Sequence, residues 1–129
     1  MKSYAKPKAK RGVKKESYKS FFLKCRDYYP NVCFESGERL EVLTVNCCHI
    51  FPKRKYKSVS RLLNNIIILS WENHTILDKY LDEMDLEGLK EKLPKTHDEI
   101  IKRSKIILPL ITETDGKLYN LMKEYVHKF

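Results

Sequence analysis

The stretch CHIFPKRKYKSVSRLLNNIIILSWENHTILD, residues 48–78, holds the chain's clearest structural pattern and its densest set of chemically capable side chains. Within it, Ile66-Ile67-Ile68-Leu69 is an apolar run bounded by Asn64-Asn65 and Ser70. A run so short, with polar punctuation at each end, predicts a buried strand. From Glu72 to about Met84, the residues Ile76, Leu77, Tyr80, Leu81 and Met84 return at helical spacing and predict a helix. His74 and Asp78 are four apart on that helix, so their side chains rise from one face. Upstream, Cys48-His49-Ile50 closes a β-prone stretch, and residues 51–60 form a basic loop containing Pro52. A hairpin packed on the helix can bring Cys48 and His49 opposite His74 and Asp78. Side chains alternate along a strand, so Cys48 and His49 point to opposite sides unless a bend intervenes.

Working outward, Phe21, Phe22, Cys25, Tyr28 and Tyr29 recur at helical spacing from about Ser17, and Pro30-Asn31 ends that helix. Residues 32–37 read as a strand entering a tight turn, and Leu40, Val42 and Val45 lie in a β-prone stretch. Downstream, Asp85 caps a helix ending near Leu93-Pro94. Thr96 followed by Glu99 has capping-box spacing and predicts a helix through Leu108 and Pro109. A last helix runs from about Asp115 to Lys128, with Leu118, Leu121, Met122, Tyr125 and Phe129 as its packing side. The order predicts an α+β fold in one domain over residues 16–129, a small β-element embedded among helices. The C-terminal helices, residues 85–129, either complete the core or form a homodimer surface.

Charge is unevenly placed. The net charge is +9, and residues 1–15 hold Lys2, Lys6, Lys8, Lys10, Arg11, Lys14 and Lys15 with no acid. A basic, disordered arm on a nearly neutral body suits a nucleic-acid backbone better than it suits mere solubility. No stretch approaches the ~18 apolar residues of a membrane span, and the basic N-terminus has no apolar segment behind it. Cys25, Cys33, Cys47 and Cys48 form no disulfide framework, which fits reduced thiols in a cytoplasmic protein.

Cys48-His49-Ile50-Phe51-Pro52 is followed at Asn65 by the strand Ile66-Ile67-Ile68-Leu69. Nine residues after Asn65 comes His74, and four after that Asp78. This series resembles the HNH endonucleases, in the small free-standing form found in bacteria and their phages, across roughly residues 32–82. The resemblance implies a ββα-metal (His-Me finger) core flanked by additional helices, and a metal-dependent DNA endonuclease. It makes His49 the general base and has His74 and Asp78 hold one divalent metal, with Cys48 left open as a further ligand. Asn65 joins the catalytic set by tying the loop through hydrogen bonds, or by reaching the metal; Asn64 and Asn73 are neighbouring alternatives. Lys53, Arg54, Lys55 and Lys57, with Tyr56 interleaved, would meet DNA phosphates.

Two departures from that family's pattern bear on the chemistry. Cys48 stands where the family has Asp or His. A thiolate suits Zn²⁺, Mn²⁺ or Ni²⁺ better than Mg²⁺, so the metal is a transition ion, or Cys48 is no ligand, or the enzyme is weakened. Many relatives also carry a zinc knuckle with two Cys-x-x-Cys pairs. The matching positions here are Cys33, Ser36, Ser70 and Asn73. One cysteine of four remains, so no structural zinc is expected, and packing by Phe34 and Trp71 would steady the hairpin instead.

Taken singly, each residue has a plainer explanation: His74 as an ordinary helix residue, Asp78 as a partner for a lysine, Pro52 as punctuation. The ordered set outweighs these. His97 and His127 lie outside it and read as structural, and Cys47 as a buried neighbour. Two other functions stand beside the nuclease: a non-catalytic DNA-binding protein keeping the scaffold, and a protein-interaction module.

Overall fold

The computed structural model describes residues 17–129, so the basic arm expected over residues 1–15 lies outside the described residues. Five helices and a two-stranded sheet are present among them: α1 (Tyr18–Tyr28), β1 (Cys47–His49), β2 (Ile66–Ile68), α2 (Trp71–Asp82), α3 (Leu86–Lys92), α4 (Pro94–Ile107) and α5 (Lys117–Tyr125). The class is α+β, as the sequence predicts. No helix among the described residues is long and apolar enough to cross a membrane.

The strands pair antiparallel, with Cys47 opposite Ile68, Cys48 opposite Ile67 and His49 opposite Ile66. Ile66 and Ile68 pack with Phe21, Cys25 and Val42 under α1, while Ile67, Leu69 and Cys48 belong to the main core with Leu77, Leu89, Ile100, Ile107 and Met122. A strand buried on both faces has no polar side to show, which is why its sequence is apolar without alternation. Arg103 of α4 is buried and fastens the layers. Its guanidinium donates to the Ile66 carbonyl and the Tyr29 hydroxyl, and its Nε to Glu99 at 2.7 Å. Of the C-terminal helices, Leu86, Leu89, Ile100, Ile107, Leu118 and Met122 complete the core, whereas Ile106, Leu110 and Phe129 stay about half exposed.

Helix ends follow local chemistry in three places. Ser17 and Ser70 cap α1 and α2, and Asp85 accepts from the Gly88 amide at 2.9 Å to start α3. After α2, Met84 takes φ 54°, with amide bonds from Asp85 to Tyr80 and from Met84 to Leu81. That is the Schellman arrangement, here without its usual glycine.

Four expectations are corrected. Residues 32–37 form no strand: Val32 makes a single bridge to Arg39 around a turn in which Gly37 takes φ 77°. The 40–46 stretch is irregular and ends in a short 3₁₀ turn, pairing with no strand among the described residues. Thr96 does not cap α4. The helix begins at Pro94, whose missing N–H and fixed φ suit the first position, and Glu35 reaches across to accept from the Lys95 and Thr96 amides. Phe34 and Trp71 do not fill a core; they are 38% and 63% exposed. What steadies positions 33, 36, 70 and 73 is polar. The Cys33 thiol, wholly buried, accepts from the Asn73 amide at 3.4 Å. Burial raises its pKa, but hydrogen bonds from Ser36, Ser70 and Asn73 outweigh that and bring it down to about 7.

Candidate active site

His49 ends β1 and is partly buried. Its Nε2 lies 2.9 Å from the Ser60 carbonyl. A carbonyl oxygen only accepts, so the proton sits on Nε2 and the lone pair on Nδ1. Burial is the main force holding its pKa below that of a free imidazole, with Lys53 and His74 adding to it and the Ser60 bond and Asp78 opposing. Tyr18 packs edge-on against the ring, centroids 6.5 Å apart.

His74 and Asp78 meet as their spacing requires, with Nε2 and Oδ2 3.2 Å apart. The other ring nitrogen of His74 donates to the Val45 carbonyl, which fixes the ring and leaves Nε2 for Asp78. The Asp78 hydrogen bond raises the His74 pKa, helped by Val45 and opposed by burial. The pair also fits a metal. Two ligands each about 2.0–2.2 Å from one ion lie near the observed separation, and a ligating His usually donates its other N–H to a backbone carbonyl. Among the described residues, no three His, Cys, Asp or Glu side chains gather as a metal-binding group.

Cys48 is wholly buried, and its thiol donates to the Asn46 carbonyl at 3.5 Å. Burial first, then the Asp78 carboxylate, push its pKa up, so it rests as a thiol. Cys47, on the same strand face as His49, is partly exposed rather than buried, and lines the cleft beside it. Asn65 is also wholly buried. Its Oδ1 accepts from the Phe51 amide at 2.8 Å, and its Nδ2 donates to the carbonyls of Phe51 at 3.0 Å and Val59 at 3.2 Å. One side chain thereby closes the loop between the strands from inside.

His49, His74 and Asp78 line one open cleft of about 1060 Å³. Lys53 and Lys55 line it too; Arg54 and Lys57 are exposed outside it. Tyr56 is corrected from surface contact to anchor. It is 1% exposed, packs on Phe51, and its hydroxyl accepts the Tyr119 amide at 2.9 Å. Gly116 passes so close that an added Cβ would lie 2.2 Å from that hydroxyl oxygen, so the cleft wall of Asp115, Gly116 and Lys117 is pinned to the basic loop.

Several of these residues escaped the sequence. Asp82 also lines the cleft, and its signal was available, since it continues the four-residue series of His74 and Asp78. Tyr18, Arg61 and the 115–117 wall carry no local signal, being brought there only by tertiary packing. His97 is buried between Tyr125, 2.8 Å from its Nε2, and Asp98, 2.9 Å from its Nδ1, well away from the cleft residues in sequence and outside the cleft lining. Set against known proteins, the chain matches no family model, no curated protein and no solved structure.

Proposed function

We propose that this chain is a metal-dependent DNA endonuclease with a ββα-metal core made of β1, β2 and α2. One observation carries the reading: His49, whose Nδ1 has no hydrogen-bond partner among the described residues, shares a cleft with the His74–Asp78 pair. Nδ1 takes a proton from the attacking water, and the Ser60 hydrogen bond keeps the ring in the tautomer that can do so. Burial and Lys53 favour the neutral ring that a base requires. His74 and Asp78 would hold a divalent ion, which would supply Lewis-acid polarisation of the scissile phosphate and charge stabilisation at the leaving 3′ oxygen. Lys53 and Lys55 draw the DNA backbone into the cleft, and Asn65 keeps the loop that bears them in shape.

A non-catalytic DNA-binding protein is the second reading. It is favoured by Cys48, a buried protonated thiol that leaves two side chains to hold the ion. Supercoiled plasmid incubated with Mg²⁺, Mn²⁺, Ni²⁺ or Zn²⁺, against a chelator control, separates the two. The nuclease reading expects metal-dependent nicking or linearisation that His49→Ala removes. Salt-dependent DNA binding with no cleavage under any metal selects the second reading, and no DNA binding sinks both.

A further inference from the structure

On the α1 side of His49, two cations share one aromatic ring. The Lys53 ammonium is 4.3 Å from the Tyr18 ring centroid, and the Arg61 guanidinium carbon is 4.1 Å from it. Either contact alone is an ordinary cation–π interaction. Together they hold two like charges close, and among the described residues neither has a carboxylate at ion-pair distance. Arg61 also has a buried Nε without a hydrogen-bond partner. Such a pair is completed by an anion, which relieves the repulsion and accepts the donors.

The position of the pair selects the anion. Lys53 lines the cleft with His49, and Arg61 directly follows Ser60, whose carbonyl holds the His49 ring. Laid end to end, the Lys53–Tyr18 and Tyr18–His49 spans put the ammonium within about 11 Å of the His49 ring, roughly three nucleotide rises of ~3.4 Å along one strand.

We propose that Lys53 and Arg61, braced on Tyr18, form a second phosphate site that seats a backbone phosphate of the DNA near the one facing His49. The site rests on the nuclease reading of the cleft and adds to it the residues that set the strand's position along the cleft. It reads no base, so its effect is independent of sequence. Lys53 serves as a point charge and Arg61 as a planar donor, with Tyr18 linking both to the ring of the base.

The test is binding without chemistry. Full-length protein carrying His49→Ala, in chelator, is titrated with a labelled duplex of about 20 base pairs at salt from about 50 to 200 mM. Adding Lys53→Gln and Arg61→Gln is expected to weaken binding alike across sequences and to lower the slope of log affinity against log salt by about one. Lys53→Gln alone, at an exposed position, is expected to keep the fold and give part of the effect, while Lys123→Gln on α5 leaves the slope unchanged. A double variant that melts like its parent and keeps the full slope overturns the site while leaving the nuclease reading standing. Loss of slope here, with no cleavage by the native His49 chain under any of the metals, keeps the site and sinks the catalytic reading. Failure of the parent to bind DNA overturns both.

Discussion

His49 donates from Nε2 to the Ser60 carbonyl at 2.9 Å, so in the neutral imidazole that burial favours the lone pair sits on Nδ1. Ser60 lies eleven residues downstream, at the end of the basic loop, so the geometry of the base depends on the fold of the loop that carries the phosphate-seeking lysines.

The pH profile follows. A general base works when unprotonated, and His49 is held below the 6.5 of a free imidazole. The acid limb of kcat/KM therefore falls below pH 6.5, with activity flat through neutrality. Lys53→Gln removes one of the forces lowering that pKa, so it moves the limb upward. Initial cleavage rates from about pH 5 to 8 check both, and His49→Ala should cost ~10²–10⁴ in rate. A limb centred above pH 7 in the native chain would show that another group is titrating.

The ion site has a built-in reporter. Trp71 is the chain's one tryptophan, and its ring centroid lies 5.9 Å from that of His74. Ni²⁺ or Mn²⁺ bound by His74 and Asp78 should quench its fluorescence. His74→Ala should abolish the quench, and Asp78→Asn should weaken binding by about tenfold or more. The raised His74 pKa sets the sign with pH. A proton on Nε2 competes with the ion, so affinity falls as pH drops through that raised value. Quenching that survives both substitutions would place the ion elsewhere.

How much was legible depended on whether the signal was local. Ile66 to Leu69 announced a buried strand because burial on both faces removes polar alternation, and the His74–Asp78 pair followed from helical pitch alone. The start of α4 was misjudged because its cap, Glu35, lies 60 residues away from Lys95 along the chain. Val45 has strand-like composition yet is exposed and belongs to no strand among the described residues, since pairing is settled by neighbours and not by propensity. Tyr18 was invisible for the same reason: only packing of α1 on the sheet brings its ring to His49 and under Arg61.

Asn65 tests the closure of the loop. Its three buried hydrogen bonds satisfy one amide and two carbonyls. Asn65→Ala strands the Phe51 amide and carbonyl, while the Val59 carbonyl keeps the Leu62 amide at 3.2 Å; at about 1–3 kcal/mol for each unsatisfied group, a loss of roughly 2–6 kcal/mol is expected. For a domain of this size that lowers Tm by on the order of 10–20 °C. Asn65→Asp keeps the acceptor for Phe51 but turns a carboxylate toward two carbonyls, and should be as damaging. Thermal melts check both, and a change in Tm of less than about 3 °C would mean the loop is held by other contacts.

The knuckle positions allow a constructive test. Cys33 receives hydrogen bonds from the side chains of Ser36 and Asn73 and from the backbone of Ser36 and Ser70, so the four positions meet around one sulfur. Replacing the three by cysteine offers four thiolates, the donor set of a tetrahedral structural zinc. The cost is the Ser70 cap of α2, about 1 kcal/mol without metal. In a His74→Ala background, which removes the other ion site, the triple variant Ser36→Cys, Ser70→Cys, Asn73→Cys should melt below its parent in chelator and above it in zinc. Cobalt substitution should add the absorption of a tetrahedral thiolate site at one ion per chain. If the variant takes up no more zinc than its parent, the four positions do not converge as the Cys33 hydrogen bonds require.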